Sequence, residues 1–504
     1  MSLKRIVAGM SAAVLLGSIS ASETILFEEN FHSPESSAGY RREAGTRYSP
    51  TGGRGNSGCL FFESDSPKHS ARMFLKLNPK QFAGKIRLSA WCRGENIGKS
   101  APWFGPKVML VCKTAHGAAY PEIPKKRGTY SWEYGECEIE TPPGCSELEL
   151  VLGIQNCSGK LWIDDIKIEQ LAPPVKFTYR PYDIHLQKTP VLRGVMSGNH
   201  LEEKDFQDLK AWNVNFMRYQ MNPGRKTDLS GREAFLKWIN SEIRKIDSLI
   251  PRAERNGIRL LLDMHKGPGT EHTSVSSNRL NWNRYDVDTF VLAWEKLARR
   301  YKNNPAVFGY DILNEPEMAK TARDVLGWQE IAERTVCAIR AIDPLKPIII
   351  EPAEGGSPQG FITLRPIQAE HLIYSVHFYH PQEYTHQTDQ LKSPIRFQGG
   401  KAYIKKQLAP VLAFQKTYRV PILVGEFSAS AWAPDAHEYL KLCIEVFEEY
   451  GWDWIYHAFR ESHWWDVELE GRMGHMIPAS NTLRKQVLLE GFSANEHRKR
   501  VPVR

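Results

Sequence analysis

Residues 309–318 read GYDILNEPEM, an apolar run that ends in an amide, a carboxylate and a proline. With Val307 and Phe308 before it and Ile312 and Leu313 inside it, the run reads as a buried strand. Pro316 has no backbone N–H and cannot extend a central ladder, so the strand is expected to stop at Glu315. Proline also biases the residue before it toward extended geometry, which would aim the Glu315 carboxylate out of the strand end into a loop.

Seven further runs share this character: 191–195 (VLRGV), 214–219 (VNFMRY), 258–265 (IRLLLDMH), 347–351 (PIIIE), 372–379 (LIYSVHFY), 421–427 (PILVGEF) and 452–459 (WDWIYHAF). Amphipathic segments such as GREAFLKWINSEIRKIDSLIPRAERNG and DTFVLAWEKLARRYKNN lie between them. Alternating strands and helices predict a parallel sheet. With VFGYDILNE at 307–315 there are eight such strands, which predicts a (β/α)8 TIM barrel over 179–495.

Active sites of such barrels gather at the C-terminal strand ends. Those ends carry Arg218, His265, Asn314 with Glu315, Glu351, His377 with Tyr379, Glu426, and the segment 452–460. Two carboxylates from different strands, with no phosphate loop and no metal-ligand spacing, suit glycoside hydrolysis. One acid protonates the leaving oxygen and a second carboxylate attacks the sugar carbon. Glu315 and Glu426 fit these roles, and Glu351, which also precedes a proline, is the rival. Asp263 and Asp311 lie deeper in their strands and read as structural partners.

The ordered set of motifs, NVNFMR, LLLDMH, LNEP, SVHFY and VGEF, resembles glycoside hydrolase family 5, cellulase-like enzymes of the retaining clan. The resemblance covers about residues 179–495 and implies Glu315 as acid/base and Glu426 as nucleophile. It further implies that Arg218 keeps Glu426 ionised and Asn314 bonds the sugar 2-hydroxyl. His265 and His377 line the cleaved-sugar subsite, and Tyr379 donates toward the nucleophile. Strand eight departs from the pattern, which commonly ends in a tryptophan platform: here WIYHAFRESHWW places His457 there, or Trp464 or Trp465 folds back. Trp282 and Trp432 are further candidates for stacking on sugar rings.

From 23 to 171 the pattern is short alternating runs between turn residues, such as SELELVLGI and KLWIDDIKIE, which predicts an antiparallel β-sandwich. APPVKF marks a linker at 172–178. The closing strand, with Asp164 and Asp165, resembles jelly-roll carbohydrate-binding modules, some of which hold a structural calcium. Trp103 and Tyr120 are candidate ligand-facing rings, while Trp132, inside a strand, reads as core.

Residues 1–22 have a basic start (Lys4, Arg5), an apolar stretch shorter than the roughly 20 residues a membrane span needs, and small residues at its end. They read as a secretory signal peptide, so a secreted protein, extracellular or periplasmic and free of the membrane after cleavage, is expected. Six of the eight cysteines fall before residue 160, and disulfides are expected there. The leader and the basic tail at 496–504 carry most of the formal charge of +8, which leaves a nearly balanced body with no nucleic-acid motif.

The leading expectation is a monomeric endo-β-glycanase, without cofactor or catalytic metal, acting on a polysaccharide of the β-glucan, cellulose or mannan type. The alternatives are an exo-acting β-glycosidase on short glycosides and a carbohydrate-binding protein without catalysis. A metallohydrolase would need a paired HxH on the first strand, and VLRGV offers none.

Overall fold

The computed structural model describes residues 24–101, 103–172, 191–198, 200–224, 227–269, 278–279, 282–317, 326–387 and 394–496. The expected leader, and all but the first residue of both the linker and the basic tail, lie outside them.

The N-terminal strands are β1 (Thr24–Glu29), β2 (Arg41–Arg42), β3 (Thr46–Ser49), β4 (Cys59–Ser64), β5 (Ala71–Leu77), β6 (Lys85–Ile97), β7 (Gly105–Thr114), β8 (Gly117–Ala119), β9 (Gly128–Glu140), β10 (Glu147–Gln155) and β11 (Gly159–Ala172). They form two antiparallel sheets, β3-β4-β11-β6-β9 with β1 added on β11, and β2-β5-β10-β7-β8. Alternation explains the layer: Leu148, Leu150 and Leu152 of one sheet meet Leu60, Phe62, Leu161 and Ile163 of the other in a shared core.

Two expectations for this region fail. All eight cysteines carry free thiols, and Cys59, Cys112, Cys137, Cys157 and Cys443 are buried. Burial makes them small apolar groups, and it pushes the Cys59 and Cys137 thiols up to about 12. Trp132 is half-buried and absent from the core cluster, because its position on β9 points outward.

The second region closes into a barrel of parallel strands: β12 (Arg193–Ser197), β13 (Phe216–Met221), β14 (Arg259–Met264), β16 (Val307–Asp311), β18 (Ile348–Ile350), β19 (Leu372–Phe378), β20 (Ile422–Phe427) and β21 (Asp453–Tyr456). Two short strands, β15 (Asn278–Arg279) and β17 (Pro316–Glu317), pair above the rim. Inward positions recur every second residue, so four of the strands stack an apolar floor beneath a polar roof. Phe216 is followed by Arg218 and Gln220, Leu261 by Asp263 and His265, Ile349 by Glu351, and Ile373 by Ser375 and His377. The floor is Leu192, Met196, Phe216, Leu261, Phe308, Ile349, Ile373, Leu423 and Ile455.

The two regions touch through Ile362, which joins the sandwich core cluster, and through the Lys85–Glu330 ion pair at 2.5 Å. Ile362 closes the 3₁₀ turn Pro358–Ile362 that follows the fifth barrel strand.

Candidate active site

The quoted strand ends earlier than its sequence suggests. β16 stops at Asp311, and Glu315 has φ of 42°, a left-handed conformation rather than the extended one expected before proline. Its neighbours account for this: the Asn314 N–H donates to the Met264 carbonyl at 3.1 Å, and the Glu315 N–H donates to Glu351 Oε2 at 2.8 Å. A buried carboxylate thus holds the backbone where an unpartnered chain would relax.

Arg218, with no solvent exposure, is the hub. Nε donates to Asp311 Oδ2 at 2.7 Å, Nη1 to Glu426 Oε1 at 2.7 Å, and Nη2 to Asn314 Oδ1 at 3.0 Å and Glu351 Oε1 at 2.9 Å. Asp263 Oδ1 lies 3.1 Å from the same Nη2. Asp263 and Asp311 are therefore structural partners, as their depth in the strands suggested. Burial pushes the Asp263 carboxyl up to about 8 against the pull of Arg218.

Glu426 is re-aimed by a register shift between β19 and β20 that sets it opposite His377. The glycine before it is a packing necessity, since a Cβ on Gly425 would fall 2.3 Å from Ser375 Oγ and 3.0 Å from His377 Nε2. Glu426 Oε2 accepts from the Tyr379 hydroxyl at 2.7 Å. Burial pushes its carboxyl up, but His377, His457 and Arg218 outweigh that and hold it well below the usual carboxylate range.

His377 joins the two strand-end acids. Its Nδ1 bonds Glu315 Oε1 at 3.0 Å and its Nε2 faces Glu351 Oε1 at 3.1 Å. Burial alone would lower its pKa, but Glu351 and Glu426 raise it well above the ordinary value, so the ring carries both protons. His265 behaves oppositely: burial lowers it to about 3, so its neutral ring bonds Asp263 Oδ2 through Nδ1 at 2.8 Å and meets Gln220 at 3.3 Å through Nε2.

One oxygen of Glu315, one of Glu426 and a nitrogen of His377 lie within 4.8 Å of one another. That spacing would also admit a metal ion, but Glu426 is already bonded by Arg218 and Tyr379, and His377 by Glu315. The arrangement is a hydrogen-bonded acid–base set. In the sandwich, Asp164 is likewise taken by the Arg54 N–H at 2.9 Å and Asp165 by the Arg54 guanidinium at 2.7 Å, so this pair does not fit the calcium its sequence suggested.

His457 occupies the end of strand eight. Its Nδ1 meets the Tyr379 hydroxyl at 2.6 Å and its Nε2 lies 3.5 Å from Glu461. Trp465 is buried behind it, packed on Tyr379 at 5.8 Å and on His457 at 5.9 Å. Trp464 and Trp432 are half-buried and meet edge to face at 5.1 Å. Trp282 is buried against Phe290, so it anchors its loop. Reading the sequence for strand ends missed Gln220 and Glu461, which meet at 3.3 Å. Gln220 was findable as the inward residue two beyond Arg218, whereas Glu461 sits on a loop with no periodicity.

A polar rim of opposed carboxylates on an eight-stranded parallel barrel, with one acid held ionised by a buried arginine, defines a glycosidase of the (β/α)8 class. The family model for cellulase (glycosyl hydrolase family 5) matches residues 182–462. The chain belongs to that family. Endoglucanase C of Acetivibrio thermocellus is 26% identical over 241 residues, which is 41% of this chain and 69% of the relative. Cellodextrinase A of Ruminococcus flavefaciens is 22% identical over 267 residues, 50% of this chain and 76% of the relative. The structure of Thermotoga maritima Cel5A in complex with mannotriose superposes with a TM-score of 0.49 at 22% identity, covering 62% of this chain and all of that one.

Proposed function

We propose that this protein is a retaining endo-β-glycanase that cleaves a β-glucan-type polysaccharide, with Glu315 as acid/base and Glu426 as nucleophile. The observation that carries the reading is the approach of the Glu315 and Glu426 carboxylates to within 4.8 Å at the barrel mouth, while the rival Glu351 is wholly enclosed. Retaining enzymes hold their two carboxyl groups about 5–5.5 Å apart, and inverting ones about 6.5–9.5 Å.

In the first step the protonated Glu315 carboxyl gives its proton to the glycosidic oxygen as the anomeric carbon–oxygen bond breaks. Glu426 closes an ester bond to that carbon. In the second step Glu315, now a carboxylate, takes a proton from water as the water oxygen attacks the same carbon and Glu426 leaves. Arg218 and Tyr379 hold the two Glu426 oxygens throughout, and Asn314, itself fixed by Arg218, faces the sugar 2-hydroxyl. No metal or organic cofactor takes part. The polysaccharide reading draws on the endoglucanases and the cellodextrinase among the relatives. Half-buried Trp432 and Trp464 at the rim offer stacking surface for a chain longer than one sugar. We further read the protein as secreted, from the leader-like residues 1–22.

The test is product analysis on carboxymethylcellulose, mixed-linkage β-glucan, mannan, xylan and xyloglucan. A ladder of oligosaccharides from one of them, lost in Glu315→Ala and Glu426→Ala, supports the reading. Release of one small product from chain ends would replace it with exo-cleavage, and binding without any product would leave a carbohydrate-binding protein.

A further inference from the structure

The outward face of the larger sandwich sheet carries a continuous stack of side chains. The Arg47 guanidinium of β3 lies 4.1 Å over the Phe61 ring of β4, and Phe61 meets the Trp162 ring of β11 at 4.9 Å. Arg93 of β6 lies 3.9 Å over Trp162 and 5.8 Å from Trp132 of β9. Strand register makes this one row, with Arg47 opposite Phe61, Phe61 opposite Trp162, and Trp162 opposite Arg93. Three inter-strand spacings separate the two arginines, about 14 Å. Leu60, Phe62, Leu161 and Ile163, the neighbours along each strand, point into the core, so the row lies on the outer face of the sheet, with Phe61 buried beneath Arg47 and Trp162. Arg47 is exposed, and Trp162, Arg93 and Trp132 are half-buried.

Among the described residues, neither Arg47 nor Arg93 has a carboxylate within ion-pair distance, whereas the charges around them are paired. Arg54, which lies 3.7 Å over Trp91, is taken by Asp165 at 2.7 Å, and Lys160 by Glu95 at 3.2 Å. A guanidinium lying flat on an aromatic ring keeps its N–H edge for a planar acceptor, which a carboxylate matches with two parallel bonds. The same guanidinium covers the ring face on which a neutral sugar would stack. The surface is thus built for carboxylates at intervals along an extended, partly apolar molecule.

We propose that this row binds an acidic glycan, a uronate-bearing polysaccharide whose carboxylates take the free edges of Arg47 and Arg93 while its rings lie along the edges of Trp162 and Trp132. Among polyanions, a glycan follows from the family to which the barrel belongs.

The test is native electrophoresis of the full chain through gels containing polygalacturonate, neutral β-glucan or dextran sulfate, a polyanion without carboxylates, with turnover of a soluble aryl glycoside followed in parallel. Polygalacturonate is expected to retard the wild type. Each arginine removed in Arg47→Ala and Arg93→Ala weakens this roughly tenfold, the worth of one charge-assisted hydrogen bond. Arg93→Lys is expected to weaken it nearly as much, because the planar fork is lost although the charge stays. Aryl-glycoside turnover and the melting temperature should stay at wild-type values in all three, which separates the site from folding and from catalysis. Retardation by neutral glucan that survives the double substitution, equal retardation by dextran sulfate, wild-type behaviour of Arg93→Lys, or no retardation by any polymer would each overturn the proposal. A wild type that binds polygalacturonate through these arginines but turns over no aryl glycoside counts against the glycosidase assignment alone.

Discussion

The backbone N–H of Glu315 donates to Glu351 Oε2 at 2.8 Å. Two glutamates in the same local setting, each followed by proline, therefore differ in kind. Glu315 faces the open mouth, while Glu351 spends its oxygens on Arg218, His377 and the Glu315 backbone.

Activity alone will not separate these roles, since both Glu315→Ala and Glu351→Ala should lose turnover. Loss of a general acid costs roughly 100- to 10,000-fold. Added azide should rescue turnover of an activated aryl glycoside in Glu315→Ala and Glu426→Ala, where the anion fills the space of the missing carboxylate. Glu351→Ala should show no rescue and a lower melting temperature, because it leaves buried polar partners unpaired. Rescue of Glu351→Ala by azide would make it the nucleophile.

Arg218→Met should destabilise the barrel by roughly 3–5 kcal/mol, the usual cost of removing one partner from a buried ionic set. Arg218→Lys keeps one charge but cannot reach Asp311, Glu426, Asn314 and Glu351 together. Both variants should lower kcat, and denaturant titration with steady-state kinetics on the same samples checks the pair of effects.

His377 makes a pH-dependent contribution whose sign follows from its partners. Its pKa is raised in the folded state, chiefly by Glu351 and Glu426 against the cost of burial. The stabilisation is therefore full below the unfolded value of about 6.5 and is lost as pH rises through the folded pKa. The stability gap between wild type and His377→Asn should be widest in mild acid and shrink in alkali. Melting temperatures of both proteins across pH 5–10 measure it, and a gap that grows with pH would refute the assignment. Glu426 runs the other way: its depressed pKa keeps the nucleophile ionised below the ordinary value near 4.5, so its protonation should not set the acid limb of kcat/KM.

Replacing His457 should act through Tyr379, whose hydroxyl it meets at 2.6 Å. Burial works against the His457 charge, but Glu426 and Glu461 raise its pKa, so the ring donates from Nδ1 and leaves the tyrosine proton to Glu426. In His457→Gln, which offers a neutral donor, kcat should fall about tenfold, the worth of one hydrogen bond to a charged group. The alkaline limb of the pH profile should also move.

Treatment with a chelator should leave turnover unchanged, since the three groups spaced to hold a metal are already bonded to one another and to Arg218 and Tyr379. Loss of activity that added divalent ions restore would overturn this.

Much of this was legible in the chain itself. Period-two alternation gave the sandwich layers, and carried one step past Arg218 it would have given Gln220 as well, because side-chain direction along a strand is fixed by local geometry. Eight apolar runs separated by helical segments were enough for the barrel, and barrel closure brings all strand ends to one rim wherever they lie in sequence. Strand-end position marked Glu315, Glu351 and Glu426 alike, and the preference for Glu426 over Glu351 came from the family resemblance of VGEF.

Only the tertiary structure decided which carboxylate is enclosed and which one is open to the barrel mouth. Glu351 and Glu315 each end a strand-like run and precede a proline, and their difference comes from Arg218 and His377, which arrive from other strands. The left-handed turn at Glu315, the free thiols, the outward face of Trp132 and the place of Glu461 were closed to sequence reasoning for the same reason. Each depends on which distant groups meet across the fold, and a local pattern carries no record of such partners.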